Sequence, residues 1–124
     1  MTQSSNPLTE TDLAYFTGTG NYYQHSLGMR YTDGVKYLAD RAGAYWLLDA
    51  IASWQSHPLV KDDQELRNIQ FWKLVVNEDQ SASLFCERDK DDVVVGQTIP
   101  MTDFPLKQIT LYVQQGTILL PSEY

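Results

Sequence analysis

Asp49 is the residue of this chain with the most pointed chemistry. It is the only charge in the run AYWLLDAIASWQS, residues 44–56. A helix apolar around nearly its whole circumference packs centrally, so residues 44–56 are expected to be buried. A carboxylate there must be paired, hydrogen-bonded or protonated. Arg30, Arg41, Lys73, a tyrosine hydroxyl or His25 could serve as its partner. Asp49 then either pins the helix to the preceding loop or acts as a general base or ligand anchor in a pocket. No second acid stands at helical spacing beside it, which favours the structural role.

Six of the eight tyrosines (Tyr15, Tyr22, Tyr23, Tyr31, Tyr37 and Tyr45) fall within residues 15–45, with Trp46 and Trp54 close behind. Such a cluster is either a core whose hydroxyls reach the surface or a recognition face. If it forms a pocket, Tyr22, Tyr23, His25, Tyr31, Trp46 and Asp49 are the candidate lining. Base stacking is disfavoured by the acidic balance of the chain.

The remaining reactive types have plainer readings. His25 and His57 lie too far apart to share a metal-ligand motif, and no metal or cofactor is expected. His57, before Pro58 at an expected helix end, suits the negative end of the helix dipole. Cys86 alternates with Leu84 on a strand and reads as a small buried hydrophobe. Thr17-Gly18-Thr19-Gly20 lacks the lysine of a phosphate loop, and no serine has the context of a nucleophile elbow. Asp89, Asp91 and Asp92 alternate as in a calcium loop, but its glycine and terminal glutamate are missing. They are read as a solvated hairpin tip, or as an acidic patch that docks a basic partner. Mimicry of nucleic acid by residues 78–92 would require carboxylates spaced like phosphates.

These residues sit in a chain of 124 residues, 43% hydrophobic and 20% charged, enough for one domain with its own core. Sixteen acids against nine bases give a net charge of −7, which argues against direct nucleic-acid binding. A single cysteine excludes an internal disulfide. No apolar run is long enough to span a membrane and the N-terminus has no leader-like pattern, so a cytoplasmic protein is expected.

The elements that must position the candidates follow from punctuation and periodicity. Residues 1–8 are polar and expected to be disordered. Thr9 or Thr11 can cap a short helix through Phe16. Residues 22–31 are aromatic and irregular, a short strand or a packed loop. Thr32-Asp33-Gly34 opens a helix with Val35, Leu38, Ala39 and Ala42 on one face, and Gly43 ends it. Residues 44–56 form the next helix, stopped by Pro58, and residues 59–68 are a charged connector with room for one turn. From Ile69 the chain reads as strands: IQFWKLVV, SASLFCE, DVVVGQTI, QITLYV and TILLP. The strand from Ile69 is apolar on both faces, so it is expected to be central or covered twice. Hairpin-sized links imply antiparallel pairing. The expected fold is α+β, with two or three helices of the N-terminal half packed on a four- to five-stranded antiparallel sheet of the C-terminal half.

The strings FTGTGNYYQH, YTDGVKYLAD and AGAYWLLDAIASWQ resemble a family of small, acidic bacterial proteins of unknown function, also found on plasmids and phages. The resemblance implies a bacterial, cytoplasmic setting and transfers no catalytic residue. The leading expectation is a non-enzymatic protein–protein interaction module, an accessory or inhibitor protein of a mobile element, whose partner is another protein and not a membrane. Self-association is left open. The alternative is a small-ligand-binding protein or enzyme with its aromatic pocket around Asp49.

Overall fold

A computed structural model describes residues 8–18 and 20–124 of the chain. Residues 1–7 and Thr19 lie outside the described residues, so the expected disorder of residues 1–8 meets the structure only at Leu8. Leu8 is buried in the core.

Four of the five described helices begin where a polar side chain catches a free amide. Helix α1 (Glu10–Ala14) is capped by Thr9, with Asp12 bonding back to the Thr9 amide, and ends before Phe16. Strands β1 (Tyr22–Gln24) and β2 (Arg30–Thr32) follow as a hairpin. Thr32 caps helix α2 (Asp33–Ala42) by accepting from the Val35 amide, and Gly43 ends it at φ 60°, a left-handed turn that glycine takes without strain. Helix α3 (Tyr45–Trp54) comes next.

Residues 59–68 hold more order than a connector. Pro58 starts helix α4 (Pro58–Lys61) at its first position, where the missing amide costs nothing. His57 therefore caps the start of α4, its Nδ1 accepting the Leu59 amide at 3.1 Å, and does not act at a helix C-terminus. Asp63 caps helix α5 (Gln64–Asn68) by accepting from the Glu65 and Leu66 amides.

Strands β3 (Gln70–Val76), β4 (Ala82–Glu87), β5 (Val93–Ile99), β6 (Gln108–Gln114) and β7 (Thr117–Leu119) complete one sheet, followed by a 3-10 turn at Pro121–Glu123. The α+β class stands. The element count does not: among the described residues there are five helices and a seven-stranded mixed sheet, ordered β1-β2-β7-β6-β3-β4-β5. The β3–β4–β5 meander is antiparallel as expected. The additional strands come from the irregular aromatic stretch, and β2 joins β7 in parallel.

The helices cover one face of this sheet. Val35, Leu38, Leu47, Leu48, Ile51, Val60 and Leu66 pack against Trp72, Leu74, Leu84, Cys86, Leu111, Val113 and Ile118 in one core. A satisfied amide network crosses it: Gln70 exchanges amide hydrogen bonds with Gln55 at 2.8 Å, donates to the Leu66 carbonyl at 3.2 Å and accepts from Trp72 Nε1 at 2.7 Å. This fastens the end of α3 and α5 to β3.

Candidate functional site

Asp49 is not in the core. Its side chain is 68% exposed, and the buried member of its pair is His25, at 7%. Helix α3 buries Leu47, Leu48, Ile51 and Ala52 and leaves Tyr45, Asp49 and Ser53 exposed along a stripe of spacing four. His25 Nε2 lies 2.7 Å from Asp49 Oδ1, while Nδ1 accepts the Leu27 amide at 3.0 Å. In the neutral ring the proton therefore sits on Nε2 and is donated to Asp49. Both ring nitrogens are engaged, so the pair ties the β1–β2 loop to α3 and leaves no free nitrogen to act as a base.

The aromatic candidates do not share one pocket. Neighbouring residues of a strand point to opposite faces, which separates Tyr22 from Tyr23. Tyr23 pairs with Tyr31 across the hairpin, the rings 5.6 Å apart, and Tyr31 meets Tyr45 of α3 edge-on at 6.4 Å. The Tyr23 hydroxyl donates to Asp33 at 2.9 Å, the Tyr45 hydroxyl donates to Asp40, and Lys36 pairs with Asp40 at 2.8 Å. Donation to Asp40 pushes Tyr45 up to about 12, and the Lys36 hydrogen bond, then that of Tyr45, holds Asp40 below the usual carboxylate range. These groups satisfy one another. Trp46 packs half-buried against the core.

Tyr22 stands on the opposite face, the one that the helices leave uncovered. Direct register places Phe71, Tyr112 and Leu119 in one row across it, with Glu87 beside Phe71. The expectation for β3 holds, since the strand is central in the sheet, and only one of its apolar faces lies under helices. On the other, Phe71 and Tyr112 meet edge-on at 5.0 Å, Tyr112 and Tyr124 at 5.4 Å, and all three remain at least partly exposed. Glu87 is 4% exposed, paired with Lys73 at 2.7 Å and accepting the Asp91 amide at 3.0 Å. A groove of about 390 Å³ runs between Phe71, Lys73, Glu87, Thr110, Tyr112 and Pro121.

A second cleft of about 340 Å³ lies beyond Tyr124, lined by Tyr22, Arg30, Gln114, Gln115, Thr117 and Glu123. The Arg30 guanidinium stacks over the Tyr22 ring at 5.6 Å. Glu123 closes the floor, accepting from the Thr32 hydroxyl and from the Leu120 and Gly34 amides. A Cβ on Gly34 would come within 2.6 Å of Leu120 and 2.7 Å of the Glu123 carboxylate, so glycine is what lets the C-terminal turn seat against α2.

The acidic hairpin is a tied turn. Arg88 pairs with Asp92 at 3.0 Å and with Asp63, the α5 cap, at 2.6 Å, while Asp89 accepts the Lys90 amide at 2.7 Å. Asp91 takes the left-handed conformation at φ 62°. Of the candidate acids, Asp89 and Asp92 are engaged in building the loop. Cys86 is buried, and burial pushes its thiol up to about 12, far from a reactive thiolate. Among the described residues, no group of three or more histidines, cysteines, aspartates or glutamates could hold a metal ion. No helix among them is long and apolar enough to cross a membrane.

Sequence reasoning named Arg30 and Lys73 only as possible partners of Asp49, and it did not single out Phe71, Glu87, Tyr112 or Tyr124. The signal for them was the second apolar face of β3.

The model of a family of unknown function, DUF6876, matches residues 7–124. No curated protein and no solved structure matches the chain.

Proposed function

The chain belongs to the DUF6876 family, and from that premise we propose that it is a non-enzymatic module that binds another protein across the uncovered face of its sheet. One observation carries this reading: the edge-on chain of Phe71, Tyr112 and Tyr124 on a face with no helix over it. Aromatic side chains that keep apolar area in contact with water at the centre of a sheet are what interfaces use as anchors. The groove beside them offers Lys73, Asp89 and Lys90 at its rim for polar contacts. A net charge of −7 steers a basic partner towards the chain, so the occupant is a basic protein segment with apolar anchors. A bacterial, cytoplasmic accessory or inhibitor of a mobile element fits this description.

The cleft around Arg30 supports a second reading, capture of a small acidic ligand, because the guanidinium there is stacked on Tyr22 and flanked by the Gln114 and Gln115 amides. A thermal shift with small carboxylates or phosphates, lost in Arg30→Ala, is its signature.

Affinity capture from the native host with wild type and with Phe71→Ser and Tyr112→Ser tests the main proposal. The expected result is a basic partner held by wild type, lost from both serine variants and retained by Tyr15→Ser, a change at a side chain that is 80% exposed elsewhere. A partner retained by both folded serine variants removes the sheet face from the function.

A further inference from the structure

The sheet ends on two unequal edges. At one, β1 contributes only Tyr22–Gln24; at the other, β5 runs Val93–Ile99. Within the sheet β5 pairs with β4 alone, and among the described residues no further backbone hydrogen bond reaches residues 93–99. An antiparallel edge strand turns alternate amides and carbonyls outward, where they template another strand. Edges of this length ordinarily carry a lysine, a proline or a bulge that repels one. The sequence VVVGQTI has neither charge nor proline. Its irregularity is at Val94, since Glu87 opposes Val93 and Cys86 opposes Val95. Val95 to Ile99 then pair without a break.

The surroundings of this edge are apolar too. Among the exposed large hydrophobic side chains, Val93 lies on β5 at 54%, Met101 just beyond it at 74%, and Leu59 at 56% on α4, which packs on β5. Trp54 reaches the strand from α3, donating to Gln97 at 2.6 Å.

We propose that β5 is the interface for a second copy of this chain, joined edge to edge about a two-fold axis at Gln97. The pattern is self-complementary in that register. Val95 opposes Ile99 of the other copy on the helix side, Gly96 opposes Thr98 on the open side, and Gln97 meets its own copy. Apolar residues flank one polar pair, and no like charges face each other. An axis normal to the sheet keeps both helix layers on one side and continues the two sheets as one, an isologous closed contact. Each copy carries −7, so their long-range repulsion opposes the contact, and added salt strengthens it.

Sedimentation equilibrium over a concentration series reads the outcome. The expected mass rises from 14.2 kDa towards twice that value, more readily at high salt. Gln97→Lys sets lysine against lysine at the axis, and Thr98→Lys places an exposed charge on the edge. Each is expected to weaken association by about tenfold or more while thermal melting shows an intact fold. Hydrogen exchange at residues 95–99 is expected to slow with concentration in wild type only. A single-chain mass at every concentration and salt, or a dimer that survives both lysine variants, overturns the proposal. The uncovered face of the sheet stays open in this dimer, so the partner-docking reading stands or falls separately.

Discussion

His25 Nε2 stands 2.7 Å from Asp49 Oδ1, and the buried member of that pair is the histidine. A carboxylate at the rim thus completes the hydrogen bonding of an imidazole inside, the reverse of a core aspartate seeking a cation. The loop between β1 and β2 is held against α3 by this contact.

Asp49→Ala is therefore expected to cost about 0.5–1.5 kcal/mol, one hydrogen bond, and not the roughly 3–5 kcal/mol of a broken buried ion pair. Urea denaturation of wild type and variant measures the difference. Nitrogen NMR of the neutral ring is expected to show the proton on Nε2. A proton on Nδ1 would contradict the Leu27 contact and reopen His25 as a base.

The core amides give a larger effect. Gln70→Leu keeps the volume but leaves Trp72 Nε1, the Leu66 carbonyl and the Gln55 amide without their partner. Each buried polar group left unsatisfied costs about 1–3 kcal/mol, so the variant is expected to lose several times the stability lost by Asp49→Ala. Equal denaturation midpoints for the two variants would show that water enters the network.

How far these sites were legible follows from the residues themselves. Thr32, Gly43 and the apolar spacing of α2 announce that helix, because caps and periodicity are local. The stripe Tyr45, Asp49, Ser53 was equally local, at spacing four, yet a single charge among so many apolar residues was read as buried. The parallel pairing of β2 with β7 brings Tyr31 to Ile118 and has no local signal, so three-residue strands in an aromatic stretch could not be assigned. Pro58 shows a different ambiguity: the same residue can stop one helix or open the next, and His57 decides it by capping forward.

Tyr45 gives a pH signature. Its hydroxyl donates to Asp40 and its pKa is pushed up to about 12, above the ordinary 10.0. A raised pKa means that its stabilising contribution is complete below 10 and is lost as pH rises through 12. Tyrosinate absorbance during an alkaline titration is expected to show a late-ionising tyrosine that disappears in Tyr45→Phe. Asp40, depressed by Lys36 and Tyr45, acts at the other end of the scale. Its contribution is complete above the ordinary 3.8 and fades as pH falls through its lowered value. If Tyr45→Phe leaves the alkaline profile unchanged, the hydroxyl is not held by Asp40.

The acidic hairpin separates charge from architecture. Removing Asp92 breaks its pair with Arg88, and neutralising Asp89 weakens the bond to the Lys90 amide, so a triple change to asparagine would alter loop and charge together. Asp91 is the informative position. It sits at φ 62°, which asparagine tolerates, and its backbone amide, not its side chain, bonds Glu87. Asp91→Asn is expected to leave stability within about 0.5 kcal/mol, whereas Asp92→Ala, which frees one side of Arg88, is expected to cost up to about 1 kcal/mol. Raising the salt should shrink the second effect, because that pair is exposed. With a captured basic partner, Asp91→Asn should then slow association at low salt and leave dissociation unchanged, the behaviour of a steering charge. If Asp91→Asn speeds dissociation instead, the turn itself touches the partner and the docking surface extends from the sheet face onto the β4–β5 loop.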